Sequence, residues 1–432
     1  MRNFGIVGAG GAGFPSYAKL AEGADLLLIN GSECEPLLYT DYVILKNELT
    51  IVLCGISKVL SHTGIHKALI AVKEHTAKNL GLEDGERLDD KIFVKVLPDV
   101  YPIGDEIGLI YEATGRLVKP GKLPITQGVI VYNVETMYDL GRAVRFSEPV
   151  TEKWLTVGGD IKNPTVIRVP IGSKIADIFK KLDIELKEGY SVIDGGPSMG
   201  KIVNPRTYSV TKTTKGILVL PDDTQSILSK KMNIKMAIAR AETACCQCTR
   251  CTDMCPRNML GYPLEPHKMV RTAMGAAEVM PQMVLSATLC CGCGVCESLA
   301  CSQGISPKAV IENYKKLLAK NKLRFDSNGE YSVKPEREYR MVPYKKWMSM
   351  LGVAKFDRVA DFGCEINDFY RVEIPLSGHI GAPSVPAVKD GDIVKKGDLI
   401  ANATEGLSLP QYASISGTVT LGNDKIIIDK VR

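Results

Sequence analysis

A chain of 432 residues, 45% hydrophobic and 24% charged, has the make-up of folded protein and the length of about three domains. A net charge of only +5 with no long basic run excludes a nucleic-acid binder. No apolar run nears the roughly 18 residues of a membrane span. The opening MRNFGIVGAG lacks the apolar core of a secretory signal, so a reducing, cytoplasmic setting is expected.

The chain begins with Phe4–Val7, short and apolar like a buried strand, followed by the bare loop Gly8-Ala9-Gly10-Gly11-Ala12-Gly13-Phe14-Pro15. Formally the loop contains Gly8-x-Gly10-x-x-Gly13, a dinucleotide fingerprint. Phe14-Pro15 argues against that reading, because proline disfavours the helix such a loop should open. What remains is a physical point. Closely spaced glycines let backbone N–H groups approach a phosphate or a flat ring.

Three acidic or polar segments then follow apolar runs. They are Asn30-Gly31-Ser32-Glu33-Cys34-Glu35-Pro36 after Leu26–Ile29, Tyr101-Pro102-Ile103-Gly104-Asp105-Glu106 after Phe93–Leu97, and Asn133-Val134-Glu135-Thr136 after Gly128–Tyr132. Helical patterns at Tyr42–Thr63 and Ile107–Thr114 fill the intervals. Strands alternating with helices predict a parallel α/β sheet with its ligand at the carboxyl ends of the strands. From Trp154 to Leu220 the pattern changes to short strands at Thr156–Gly159, Thr165–Val169 and Ser191–Asp194. A helix is expected at Ile175–Leu182, and Gly195-Gly196-Pro197 marks a sharp turn.

Most of the thirteen cysteines fall between Cys245 and Cys301. They read Cys245-x2-Cys248-x2-Cys251-x3-Cys255-Pro256, then Cys290-x2-Cys293-x2-Cys296-x4-Cys301. Two groups of four thiolates match two [4Fe–4S] clusters in the arrangement of a two-cluster ferredoxin, where the remote ligand of each motif serves the other cluster. Cys245, Cys248, Cys251 and Cys301 are therefore assigned to one cluster, and Cys290, Cys293, Cys296 and Cys255 to the other. Cys246 and Cys291 are spectators, since using them gives Cys-x-Cys spacing. Disulfides do not suit a reducing compartment, and structural zinc usually shows separated Cys-x2-Cys pairs. Helices are expected at Ile234–Thr243, at Pro281–Leu289, and from Pro307 to Asn321 behind an N-capping Ser306. A charged linker, Arg324–Arg340, leads to the helical pattern Pro343–Ala354. Its Trp347, Met350 and Leu351 are read as packing on the protein rather than on a membrane surface. The Gly-Asp turns and short strands of Val372–Val431 form a small all-β unit.

These motifs resemble a known superfamily. Gly8–Pro15 with Lys19, Asn30–Pro36, Tyr101–Glu106 and Asn133–Thr136 are similar, in the same order, to loops of the flavin-binding subunit of respiratory NADH dehydrogenases. Along its length the chain resembles the RnfC-like proteins, most closely the cobalamin-reductase (PduS) type of propanediol-utilising microcompartments. Besides these loops, DGGPSMG, CxxCTRCTDMCPR, CESLAC, GISP and HIGA carry the likeness.

The resemblance implies a multidomain α/β protein: an FMN/NADH-binding parallel-sheet domain over 1–150, a β-grasp (SLBB) domain over 151–230, a two-[4Fe–4S] ferredoxin-like helical domain over 231–323, a linker and helix over 324–364, and a barrel-sandwich-hybrid β domain over 365–432. It implies FMN lined by Gly8, Gly10, Gly11 and Gly13, with Lys19, Asn30 and Asn133 at its phosphate or ring. Glu33, Glu35, Tyr101, Gly104, Asp105 and Glu106 would lie toward the flavin and nicotinamide, with Glu33, Glu35 and Glu106 accepting bonds from NADH. Asp105 stands where the dehydrogenases have Glu. Ser414-Ile415-Ser416 replaces the modified lysine of biotinyl and lipoyl carriers, so covalent carriage is not expected. The SLBB unit is read as packing rather than ligand binding, and His379 as a structural residue rather than a cobalt ligand.

The function implied is electron passage from NADH through FMN and the clusters to cob(II)alamin or an adenosyltransferase partner, inside a bacterial microcompartment. The alternatives are an RnfC-like electron-entry subunit with a protein acceptor, and an electron-carrying structural component docked on a shell protein.

Overall fold

The apolar runs of the N-terminal third lie side by side in the computed structural model, which describes every residue except 12, 276, 277, 279, 328 and 432. Strands β1 (Leu26–Asn30), β2 (Ala68–Lys73), β4 (Ile92–Leu97) and β6 (Val129–Asn133) are parallel. The short β3 (Arg87–Asp89) runs antiparallel at the edge, giving the order β3-β4-β2-β1-β6. β1 and β2 are almost wholly buried, which is why they read as continuous apolar runs rather than as alternation.

Leu27 and Ile29 of β1 face helices α1 (Thr40–Thr63) and α4 (Val134–Phe146). These helices meet where glycine permits it. A Cβ on Gly55 would stand 2.0 Å from the Met137 carbonyl oxygen, and one on Gly141 2.0 Å from that of Ile51. α2 (Glu74–Leu80) follows β2. Leu26 and Leu28 point to the other face, which is covered by α3 (Glu106–Thr114) and by residues of the cysteine-rich region and the linker.

One expected strand is absent. Phe4–Val7 does not join the sheet. Arg2–Phe4 is a 3-10 turn, Gly5 has φ 66°, and Val7 makes one isolated bridge to Pro15 across the glycine loop. Gly8 N donates to the Phe14 carbonyl and Ser16 N to that of Ile6, so the loop is a closed excursion rather than a strand-to-helix turn. The 3-10 turn Ser16–Lys19, not an α-helix, follows it.

A second sheet follows. β7 (Glu152–Gly159) and β8 (Thr165–Pro170) form a hairpin, and the helix Ile175–Lys181 comes next. β9 (Tyr190–Asp194) and β10 (Lys201–Val203) pair antiparallel, and β11 (Gly216–Pro221) lies between β9 and β7, parallel to β7. Short helices from Ile234–Ala244 to Pro307–Lys320 carry the cysteine motifs. Ser306 caps the last of these, its Oγ accepting from Ala309 N at 3.1 Å. The C-terminal unit has a four-stranded sheet, containing Arg371–Pro375, Ile393–Val394, Gly417–Leu421 and Lys425–Asp429, and a three-stranded one. Its Ser414 Oγ donates to the Ile171 carbonyl at 2.6 Å, docking it on the second sheet.

The segment read as a linker adds the outer strand of the second sheet and half of a separate two-stranded ribbon beside the first. Val342–Pro343 pairs antiparallel with β5 (Val100–Tyr101), and Phe362–Glu365 pairs parallel with β8. Between them the helix Tyr344–Met350 sinks Trp347 completely. No helix among the described residues is long and apolar enough to cross a membrane.

Candidate functional site

β1 continues to one side into β2 and β4, while β6 returns to the other side, so the strand order reverses between β1 and β6. Ligands of open α/β sheets bind at such a switch point. Asn30 and Asn133 are register partners there, at the carboxyl ends of the two strands. Their side chains form the floor. Asn30 Nδ2 donates to the Gly104 carbonyl at 2.9 Å and its Oδ1 accepts from Ser32 N at 3.1 Å. Asn133 Nδ2 donates to Asp41 at 2.8 Å and to the Asn30 carbonyl at 3.1 Å, while its Oδ1 caps α4.

The glycine loop lies over this floor. Gly8 N donates to the Phe14 carbonyl at 2.8 Å, and Ala9 N to Thr136 Oγ1 at 3.1 Å. Three glycines have internal reasons. A Cβ on Gly10 would fall 2.9 Å from Asn133 Nδ2. One on Gly13, at φ 74°, would fall 2.7 Å from Thr213 Cγ2, and one on Gly104 2.6 Å from the Ser32 carbonyl. Gly11 has none: its Cβ would meet nothing within 4 Å. Bare backbone facing open space above a polar floor fits a planar or phosphorylated ligand. Lys19 stands beside it, with Nζ 2.7 Å from Glu106 and 3.1 Å from the Val131 carbonyl.

The three candidate carboxylates occupy separate surroundings rather than one open face. Glu106 is partly exposed against Lys19. Glu33 lines a cavity of about 380 Å³ with Tyr39, Tyr42, His75, Asp99, Tyr344 and Asp357. Its Oε2 accepts from Asp41 N at 3.1 Å, while Oε1 is buried without a partner. Burial, with the Asp41 charge second, pushes it up to about 8. Glu35 turns the opposite way. It is buried, and it accepts from Ser198 N at 2.8 Å and Met199 N at 3.1 Å, in the turn after Gly195-Gly196-Pro197.

Tyr101 and Asp105 likewise face the cysteine region. Tyr101 Oη donates to the Cys293 carbonyl at 2.7 Å, and Asp105 is 2.6 Å from Arg257. The reason is packing. The Tyr101–Glu106 loop is sandwiched between the sheet and the cysteine-rich helices, so its buried polar groups pair across that interface.

Sequence reasoning missed several residues. Lys215, just before β11, reaches the floor from the second sheet, 2.5 Å from Asp41 and 3.3 Å from Glu135, and Lys153 pairs with Glu135 at 2.6 Å. Against the pull of burial, Asp41 and Glu135 raise Lys215, so it stays charged. Nothing local distinguishes these lysines from surface ones. Arg257 was more legible, as the cation following Cys255-Pro256.

The cysteines gather in two groups. Cys245, Cys248, Cys251 and Cys301 line one small cavity, with Cys246, and Cys255, Cys290, Cys293 and Cys296 line another, with Cys291. Burial and the neighbouring sulfurs push Cys251 up to about 12, and burial does the same to Cys255. Four sulfurs converging on one small cavity suit an iron–sulfur donor set. Gly292 N donates to Cys290 Sγ at 3.3 Å, the kind of bond that stabilises ligating sulfur. His379 Nε2 accepts from Leu409 N at 3.2 Å, and its loop packs on the glycine loop through Ile380 N to the Gly13 carbonyl.

Comparison with known proteins agrees with this layout. The Nuo51 FMN-binding domain matches residues 1–142, a 4Fe-4S dicluster domain residues 244–306, and the RnfC barrel sandwich hybrid domain residues 365–426. Fold and site together define a flavin and iron–sulfur oxidoreductase. The chain is 36% identical over 429 residues to the cobalamin reductase PduS of Salmonella typhimurium, covering 99% of this chain and 94% of that one. It is equally 36% identical over 424 residues to the Citrobacter freundii protein of that name, covering 97% and 93%. One component of the Na(+)-translocating ferredoxin:NAD(+) oxidoreductase complex of Acetobacterium woodii is 32% identical over 260 residues, 59% of this chain and 56% of that one. The chain belongs to the PduS cobalamin reductase family, within the wider RnfC-like group.

Proposed function

We propose that the protein passes electrons from NADH through FMN and two [4Fe–4S] clusters to cob(II)alamin, inside a bacterial microcompartment. The observation that carries this reading is the exposed Gly10–Gly11 backbone over the β1/β6 crevice, in the same domain that is hydrogen-bonded to a four-cysteine loop. FMN supplies the exchange between a two-electron hydride donor and one-electron carriers. The chain's part is to hold and separate these groups. The glycine loop offers N–H donors, Lys19 offers a cation, and Glu106 is the carboxylate open to a nicotinamide ribose or carboxamide. Asn30 and Asn133 shape the floor, since their polar atoms are occupied by protein partners.

We assign residues 1–150, 151–230, 231–323 and 365–432 to flavin, SLBB-type β-grasp, dicluster and barrel-sandwich units. The β-grasp reading is supported by the hairpin, the helix and the central β11 parallel to β7. The second reading, a protein acceptor, is favoured by the exposure of Cys246 and Cys248 beside the first cysteine cavity.

The test is anaerobic mixing of the FMN- and iron-loaded protein with NADH, then with cob(II)alamin. The flavin band should bleach, and a trapped cob(I)alamin product should form. Gly11→Val should keep the native unfolding temperature, because its Cβ enters open space, yet bind FMN at least about tenfold more weakly. Unchanged FMN affinity removes the loop from the site.

A further inference from the structure

The two cysteine cavities have unlike surroundings. The one formed by Cys255, Cys290, Cys293 and Cys296 is packed on the parallel sheet. Leu289, Cys293 and Val295 share one apolar core with Leu26, Leu28 and Val131. Tyr101 Oη donates to the Cys293 carbonyl at 2.7 Å. Arg257, two residues beyond Cys255, pairs with Asp105 at 2.6 Å, and the two side chains are only 12% and 15% exposed. Tyr101 is itself held on three sides. Its ring stacks on Trp347 with centroids 4.5 Å apart and planes 12° apart, the Trp347 indole N–H donates to Ser198 Oγ at 3.0 Å, and Oη also lies 3.4 Å from Glu35.

The other cavity has none of this. Cys246 and Cys248 are exposed, and although Cys245 and Cys301 pack among the short helices as Cys255 and Cys290 do, none of the four joins the core beneath the parallel sheet as Cys293 does. Among the described residues, no hydrogen bond joins residues 245–251 or 301 to residues 1–150.

We propose that the Cys255/Cys290/Cys293/Cys296 site is the inner station, next to the flavin crevice, that the Cys245/Cys248/Cys251/Cys301 site is the outer one, and that Tyr101 is the positioning residue setting the inner station's distance from the crevice. This rests on the reading of the crevice as a flavin site and the cysteines as cluster ligands. Loss of a hydride from a nicotinamide donor and uptake of one proton by the flavin store two electrons. They leave singly to the inner site, then to the outer site, then to a one-electron acceptor, and both flavin protons return to solvent. Tunnelling falls steeply with distance, so a rigid buried contact belongs at the step between flavin and first station. An exposed station belongs at the exit.

The experiment uses the full chain, loaded anaerobically with FMN, iron and sulfide, and freeze-quenched for electron paramagnetic resonance. Cys248→Ser should leave the inner cluster reducible by NADH at the wild-type rate. Cys296→Ser should leave an outer cluster that dithionite reduces but NADH reduces at least tenfold more slowly. The reverse pattern, or equal rates, overturns the order.

Photoreduction of bound FMN replaces NADH as a second electron source. If NADH fails but photoreduced flavin fills the inner site first, only the choice of donor is wrong. A protein that binds no flavin removes both the order and the proposed function.

Tyr101→Phe covers the case in which Cys296→Ser does not fold. It should retain both clusters and FMN, shift the midpoint potential and signal of the inner cluster alone, and slow its reduction by flavin severalfold. A shift confined to the outer cluster, or no shift at all, overturns the role of Tyr101.

Discussion

Glu33 keeps one carboxyl oxygen buried and unpartnered, and burial beside Asp41 pushes it up to about 8. In the unfolded chain a glutamate titrates near 4.3. Between those values the native protein holds a proton that the unfolded chain has lost, so native stability falls as pH rises through that window. Glu33→Gln removes the titration. Thermal unfolding at about pH 6 and about pH 8 should therefore show a larger loss for the wild type than for the variant. Equal losses would mean that Glu33 is ionised throughout. Glu35, two positions on, has both oxygens satisfied by the Ser198 and Met199 amides. No sequence signal separates these two acids. Glu35's partners arrive some 160 residues later, and Tyr344 and Asp357 of Glu33's cavity about 310 or more residues later; a loop motif carries no information about what packs upon it.

At the level of elements, the parallel strands and the cysteine loops were legible because each has its own period or spacing. β1, β6 and the helix behind Ser306 fall where apolar runs and caps place them. The Phe4–Val7 strand was not legible as absent. An apolar run is necessary for a strand, but here Gly5 turns left-handed and the backbone of Ile6 and Gly8 bonds within its own loop, so it does not extend along a neighbour. The grouping of cysteines follows the cross-over in which the last ligand of each motif lies near the other motif. Cys246 and Cys291 border the same cavities, so their status needs a measurement. Cys246→Ser and Cys291→Ser should each retain about eight irons per chain, the full complement of two [4Fe–4S] clusters. Cys255→Ser should lose about half of them and leave the cluster of Cys245, Cys248 and Cys251 intact. Full retention in Cys255→Ser, or loss in Cys246→Ser, would give a different ligand set.

Across the whole molecule, the stretch from 324 to 364 fastens what it was expected only to connect. Trp347 is entirely buried, stacks on Tyr101 and bonds Ser198, so one side chain ties a loop of the first unit to a turn of the second. Truncating a buried tryptophan typically costs about 3–5 kcal/mol. Trp347→Ala should lower the urea midpoint accordingly, and Trp347→Phe should recover part of it. A midpoint within error of wild type would show that the segment rests on the surface. The pairing of Val342–Pro343 with β5 and of Phe362–Glu365 with β8 also bears on how the chain is made. Domains generally fold as units, N-terminal first, during synthesis. Here β5 of the first unit lacks its ribbon partner and β8 of the second lacks its outer neighbour until more than about 340 residues have been synthesised. All the cysteine motifs emerge before that closing strand does. Iron and sulfide can therefore be delivered while Tyr101 and the face beneath Trp347 are still open, and the arrival of these strands covers the Cys293 side last.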